Sequence, residues 1–312
     1  MATDPTLPAF DDLPLLGELG LRHAWDAFGE DDDLGTINLL TPERTAAAAA
    51  LVRTGEVVSL DLPLDLPNPP LFGRRPYEHD VFALSRNEMD DRLDNFHLQA
   101  STQWDALSHV RCREFGFWGG RTEQPATGRN DLGIDRWAEH GIAGRGVLLD
   151  VAGHLGDLDP FTPTDVPVEV LEATAAAQGV ALRTGDVLCV RFGWVGVYRA
   201  LDQAGRERLA SEGGEFCGLR PDEAMARFLW DQHVAALCCD NPAVEPVPGD
   251  PAVGSLHRRV LPLLGLALGE MFDFEALAAR CRQLGRWEFL FVAAPLKLPG
   301  GIGSPGNAVA IL

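Results

Sequence analysis

The chain has little of several features that mark common classes of protein. It has 26 Lys and Arg against 46 Asp and Glu, which gives a formal net charge of −20 at pH 7. Such an acidic protein repels polyanions, so we expect no nucleic-acid partner. No stretch approaches the ~20 consecutive apolar residues of a membrane helix, and residues 1–12 lack a basic segment followed by an apolar one. We therefore expect a cytoplasmic protein with no membrane partner.

The cysteines lack the spacing of a structural zinc site. None of the six belongs to a CxxC pair, and Cys238 and Cys239 are adjacent in an apolar run. This pattern is typical of buried thiols in a reducing compartment rather than of a zinc finger. With 312 residues, 46% of them hydrophobic, the chain is long enough to bury a large core.

The order of apolar and turn-forming segments predicts one α/β domain behind an N-terminal arm. Residues 1–33 are rich in Pro, Asp and Leu, which suggests an arm that wraps the body or a neighbouring subunit, with Trp25 and Phe28 as anchors. Residues 34–312 contain neither a linker nor an internal repeat, so we assign them to one domain. Periodicity and capping signals predict strands at 57–62, 96–105, 146–151, 186–192, 234–239 and 289–294, and helices from Pro42 to near Gly55, at 168–178, after Pro221 and at 274–284.

One long segment has no regular pattern. Residues 63–92 contain many prolines and charges, so we predict a loop there rather than an element. Long ordered loops are often functional.

The most informative segment ends at His109. On an extended strand alternate side chains share one face, which would place five polar groups together: His97, Gln99, Ser101, Gln103 and Asp105. That face meets either solvent or a polar pocket. Trp104 on the opposite face favours a strand packed on a core, and a turn after Asp105 could return the imidazole of His109 to the carboxylate.

This segment resembles the signature of the cyclase-like superfamily, which includes bacterial kynurenine formamidases and isatin hydrolases. The signature reads His-x-Gly-Thr-His-x-Asp-x-Pro-x-His. Aligned on Thr102, its Asp falls on Asp105 and its last His on His109. Its first two His positions fall on Gln99 and Gln103, where this chain departs from the family.

Other parts of the chain resemble the family in the same order. The family has a His and a Glu about a dozen residues apart in its C-terminal third, and His257 and Glu270 would be that pair. Further similar stretches are 33–40, 185–194, 240–245 and 300–308.

The resemblance implies an architecture, a cofactor and a set of residue roles. The fold would be of the swivelling β/β/α type with a mixed sheet, in homo-oligomers whose subunits contribute to one another's sites. In the family such residues hold one or two divalent ions, and the last His of the motif, here His109, would be the catalytic proton-transfer group. For this chain we expect one ion, Mn or Zn, held by four side chains. The predicted ligands are Gln103, Asp105, His257 and Glu270.

Because glutamines stand at two of the family's histidine positions, the sequence leaves open whether a metal binds and which metal it is. An amide oxygen is a neutral, hard and weak ligand, so its presence favours manganese over zinc. Two alternatives are that no metal binds, or that His97 serves a shifted site. Two residues along a strand span about 6.6 Å, which is too far for His97 to replace Gln99 without a bulge.

The expected reaction is the opening of an amide, lactam or lactone bond in a small-molecule substrate. The ion would polarise the attacked carbonyl and activate water, and His109 would carry the proton. The predicted substrate-binding residues are Gln99, Trp104, Phe192 and Trp194, although aromatic side chains in strands are more often core. The alternatives are a catalytically silent binding protein that has lost the metal, and a cyclase that acts on a biosynthetic intermediate.

Overall fold

A nine-stranded mixed sheet forms the centre of the protein in its computed structural model, which describes residues 7–312. In these residues the strands are β1 Leu15–Leu16, β2 Leu21–Arg22, β3 Val57–Ser59, β4 Glu78–Ser85, β5 Glu88–Asp94, β6 Gln103–Asp105, β7 Ile142–Asp150, β8 Asp165–Val166, β9 Val187–Arg191, β10 Gly218–Leu219, β11 Ala236–Cys239, β12 Ala267–Glu270, β13 Glu288–Ala293, β14 Gly303–Pro305 and β15 Ala308–Ile311. The α-helices are α1 Pro42–Ala49, α2 Ile134–His140, α3 Val151–Leu155, α4 Val168–Gln178, α5 Trp194–Ala200, α6 Gln203–Glu212, α7 Glu223–Asp231, α8 Leu256–Leu264 and α9 Glu275–Leu284.

The sheet has a parallel centre and antiparallel edges. Its strand order is β14-β6-β12-β11-β9-β7-β13-β15-β3. Strands β12, β11, β9 and β7 are parallel to one another, and the remaining pairs are antiparallel. Central parallel strands are covered on both faces and read as apolar runs, as β9 and β11 do. The predicted single α/β domain with a mixed sheet is confirmed.

Helix starts follow capping residues that the sequence displays. The Thr41 hydroxyl accepts a hydrogen bond from the N–H of Arg44 at the start of α1, and the Ser255 hydroxyl accepts one from Arg258 at the start of α8. Each cap satisfies an N–H group that has no partner in the first helical turn. The predicted helices α1, α4, α7 and α9 are confirmed, although α1 ends at Ala49 rather than near Gly55.

Residues 78–94 form a hairpin, so the prediction of a loop throughout 63–92 is wrong. Strands β4 and β5 pair antiparallel, with Glu78 opposite Asp94 at the open end. Nearly all of their side chains are exposed, so the backbone ladder rather than burial holds the pair. A strand without a buried face shows no apolar alternation, and the sequence pattern therefore missed it.

The predicted strand at 96–105 is also only partly correct. Residues 98–102 form turns and bends, and the N–H of Ala100 donates to the His97 carbonyl oxygen at 3.1 Å. The five polar side chains therefore do not share one strand face. Within β6 the predicted alternation is present, because Trp104 is fully buried with its ring 5.3 Å from that of Phe272.

The described part of the predicted arm, residues 7–33, packs on the body of the same chain. Trp25 donates from Nε1 to the carbonyl oxygen of Pro262 at 2.7 Å. The ring of Phe28 lies 6.5 Å from that of Trp118 at the edge of the core. Residues 1–6 of the arm lie outside the described residues.

The interior contains all six cysteines as buried free thiols, as the sequence predicts. Among residues 7–312, no helix combines the length and the apolar character needed to cross a membrane.

Candidate active site

Two neighbouring strands bring polar side chains together at one end of the sheet. Strands β6 and β12 pair with Gln103 opposite Glu270, so the two side chains point to the same face. Gln103 donates from Nε2 to Oε2 of Glu270 at 2.5 Å. Asp105 follows two residues along β6 on the same face and is fully buried.

Helix α8 adds an imidazole to this group. His257 lies in its first turn, with Nε2 3.1 Å from Oε1 of Glu270 and 3.6 Å from Oδ2 of Asp105. The side chain is only 12% exposed, so all three groups share one poorly solvated space. The structure thus brings together the four predicted ligands, Gln103, Asp105, His257 and Glu270, and their binding of a metal stays a prediction.

Glu245 holds the other side of His257, and the sequence reasoning gave it no role. Its Oε1 lies 3.2 Å from Nδ1 of His257 and accepts a hydrogen bond from the Ser255 hydroxyl at 2.8 Å. Its Oε2 accepts a hydrogen bond from the N–H of Leu256. Because Glu245 binds both the imidazole and the first turn of α8, it orients Nε2 of His257 toward the carboxylates.

The group has the composition and spacing of a metal site. Ligand atoms of Asp105, His257 and Glu270 all lie within 4.8 Å of one another. Two buried oxygens beside them, Oδ2 of Asp105 and Oε1 of Gln103, have no hydrogen-bond partner among the described residues. A buried oxygen without a partner costs free energy, and a cation would satisfy both atoms. Carboxylate, imidazole and amide oxygen are ordinary ligands of divalent ions, so these residues fit one.

His109 lies at the open side of the group. Its N–H donates to the Ala106 carbonyl oxygen at 2.8 Å, which is the turn expected after β6. Its Nε2 lies 3.9 Å from Oδ2 of Asp105, and 29% of its side chain is exposed. The imidazole therefore reaches both the buried carboxylate and a ligand that enters from solvent.

Gln99 connects Asp105 and His109. Its Nε2 donates to Oδ1 of Asp105 and lies 3.2 Å from Nδ1 of His109. Gln99 thus turns its amide nitrogen, not its oxygen, toward Asp105, and in this arrangement it positions the two side chains rather than serving as a ligand. His97 is exposed and does not belong to the group that could hold a metal.

The charges in the group perturb one another. Burial opposes ionisation of Asp105, but the charges of His109 and His257 outweigh it and lower the pKa of the carboxyl. Burial and the charge of Asp105 raise the pKa of Glu270 to about 7. Burial disfavours the charged form of His257, but the neighbouring carboxylates of Asp105, Glu245 and Glu270 stabilise that form and raise the pKa of His257 well above the usual value. Without a cation, the group therefore retains protons at neutral pH.

A positive charge with no role in the sequence analysis acts on these carboxylates. Arg74, in the segment before the hairpin, is half-buried, and its charge interacts with Glu270 and Asp105. The guanidinium lies 5.4 Å from the ring centroid of Phe72. Nothing in the sequence distinguishes Arg74 from its exposed neighbour Arg75, so only the fold identifies it.

The three aromatic residues predicted to bind substrate are fully buried in the interior. Trp104 packs in the main core, and Trp194 stacks on Tyr198 with ring centroids 4.9 Å apart. The N–H of Phe192 donates to Oδ1 of Asp240 at 2.6 Å. Substrate contact by these side chains stays a prediction.

The family model and the solved structures to which this chain is similar cover most of its length. A family model for cyclases matches residues 41–246. The crystal structure of a novel cyclase is 33% identical, with a TM-score of 0.81, over 93% of this chain and 99% of that one. Isatin hydrolase A from Labrenzia aggregata, bound to benzyl benzoate, is 17% identical, with a TM-score of 0.61, over 85% and 96% of the two chains. Isatin hydrolase A from Ralstonia solanacearum is 18% identical, with a TM-score of 0.57, over 87% of this chain and 98% of that one. No curated protein matches.

Proposed function

Because this chain belongs to the cyclase family, we propose that it is a metal-assisted hydrolase that opens an amide, lactam or lactone bond of a small molecule. The observation that carries the proposal is the convergence of Asp105, His257 and Glu270, with buried unpaired oxygens on Asp105 and Gln103. Structures of the same fold carry the name isatin hydrolase, which is consistent with hydrolytic chemistry at this place.

Four side chains would hold one divalent ion. Asp105 and Glu270 would supply carboxylate oxygens, His257 its Nε2, and Gln103 its amide oxygen. A bound ion supplies Lewis acidity, which lowers the pKa of water and polarises a carbonyl. Two carboxylates and an amide are hard oxygen donors, and this set favours manganese.

His109 would carry the proton during hydrolysis. Attack of water on a carbonyl requires a base that removes a proton, and loss of the amine or alkoxide requires an acid that returns it. His109 is the partly exposed imidazole beside Asp105, and the hydrogen bonds of Gln99 to both residues fix its ring. Because Gln99 lies beside Nδ1, Nε2 is the ring nitrogen that would exchange a proton with the substrate.

Hydrolysis of a panel of N-formyl amides, lactams and lactones, with and without added manganese, tests the proposal. We expect manganese-dependent ring or amide opening of at least one class. Binding of such compounds without turnover would instead support a catalytically silent binding protein. Ring closure rather than ring opening would identify a cyclase reaction.

A further inference from the structure

The hairpin formed by β4 and β5 has two chemically different faces. Residues directly opposite each other in an antiparallel pair share a face. The register places four apolar side chains on one face: Val81, Ala83, Met89 and Leu93. It places five charged side chains on the other: Glu78, Asp80, Asp90, Arg92 and Asp94. One apolar and one charged face is the pattern of an antiparallel sheet that is covered on one side.

The apolar face of the hairpin is exposed in the single chain. Val81 is 57% exposed, Met89 65% and Leu93 39%. Six of the thirteen large apolar side chains that are exposed in the described residues lie within 64–93, a span of 30 residues. A hairpin of two strands is at best marginally stable in water when nothing packs on it. Its apolar face therefore calls for a partner outside this chain.

The charge distribution favours a second copy of the chain as that partner. The chain has a formal net charge of −20, so two copies repel each other over most of their surfaces. Within β4 and β5, the charged groups on the apolar face are His79 and Asp91, which pair with each other at 2.8 Å. The excess negative charge lies on the opposite face. Two copies can therefore bring their apolar faces together with little repulsion, whereas a basic partner would bind the charged face.

We propose that the apolar face of the hairpin packs against the same face of a second copy, so that two chains form a symmetric dimer. A two-fold axis pairs identical patches, and a face of apolar side chains is complementary to itself. The side chains of this face are fewer than the about 20 to 30 residues on each side of a standard interface. The exposed Leu64 and Phe72, in the segment before the hairpin, would therefore be buried with them.

The hairpin joins the body of the protein beside the candidate active site. At its base the rings of Tyr77 and Phe96 meet edge to face, with centroids 6.1 Å apart. Gln99, three residues after Phe96, contacts Asp105 and His109. The dimer would thus hold the segment that carries Gln99, but its formation does not depend on the reaction that the site performs.

Sedimentation equilibrium over a series of protein concentrations tests the dimer. We expect the native protein to associate to two chains. Met89→Asp puts a charge on the apolar face of both copies and should raise the dissociation constant about 100-fold, because two apolar contacts worth about tenfold each are lost. Asn87→Asp is the matched control, because it adds the same charge at the exposed turn between the strands and should leave the association unchanged.

A second measurement uses the unsubstituted protein. In a mixture of chains with and without ¹³C-methyl methionine, an isotope-filtered nuclear Overhauser experiment detects contacts between copies, and we expect the Met89 methyl group to contact Val81 or Leu93 of the second copy. A protein that stays a single chain at every concentration would overturn the proposal. So would association that Met89→Asp leaves unchanged, association that Asn87→Asp weakens equally, or contacts of the Met89 methyl group within its own chain only, which would make the hairpin a flap on its own body.

Discussion

Glu245 orients the proposed metal ligand His257, and the variant Glu245→Gln tests how much this contact contributes to metal affinity. The carboxylate accepts three hydrogen bonds, from the Ser255 hydroxyl, the Leu256 N–H and Nδ1 of His257. A glutamine has one acceptor oxygen and an NH₂ group. Whichever way its amide turns, a donor then faces either the Leu256 N–H or the imidazole.

The size of the effect follows from the contact that is lost. Nδ1–H of His257 would no longer donate to a charged acceptor, which leaves Nε2 less basic and its direction less fixed. Loss of such a supporting contact typically lowers metal affinity about 10- to 100-fold, which is roughly 1.4 to 2.7 kcal/mol. The ligands themselves are unchanged, so binding should weaken and not disappear.

Equilibrium titration with manganese measures this change. Glu56→Gln is the control, because Glu56 is a surface carboxylate paired with Arg280 on another part of the protein. We expect Glu56→Gln to bind manganese as the native protein does. An unchanged manganese affinity in Glu245→Gln, with the fold intact by circular dichroism, would refute the assigned role.

Three further predictions concern the same group. His109→Ala should lower the turnover number by about 10²- to 10⁴-fold with little change in melting temperature, and an unchanged rate would remove His109 from the reaction. Manganese affinity should fall as the pH drops from 8 to 6, because the raised pKa values of Glu270 and His257 mean that protons compete with the ion; a titration series that shows no pH dependence would contradict this coupling. Gln103→His should raise the affinity for zinc relative to manganese, because imidazole is a softer ligand than an amide oxygen, and competition between the two metals measures the ratio.

The elements that the sequence predicts best are those with their own local signals. Helix α1 has Thr41 as its cap and proline at its first position, and β9 and β11 are short apolar runs between turn residues. Helix α8 was missed because Pro262 inside it interrupts the helical pattern. The hairpin β4–β5 was missed because it has no buried face.

The residues of the candidate site also divide into those with a local signal in the sequence and those that only the fold identifies. Asp105 and His109 are close in sequence, and their turn could be predicted from spacing. The pairing of Gln103 with Glu270 joins residues 167 positions apart, and only the register of β6 and β12 produces it. Glu245 lies in a stretch that resembles the family, 240–245, but only the fold shows that its carboxylate meets His257. Arg74 carries no distinctive local pattern. The periodicity of a sequence does not predict long-range contacts of this kind.

The divalent metal content of protein purified without chelator is the most direct test of the metal site formed by Asp105, His257 and Glu270. We expect close to one ion per chain, with manganese preferred, when the native protein is equilibrated with manganese and zinc. We also expect loss of that ion in Asp105→Asn, which replaces a charged ligand by a neutral one. A native protein that neither contains nor takes up a divalent ion, or an Asp105→Asn variant that binds manganese as tightly as the native chain, would show that these residues do not form a metal site.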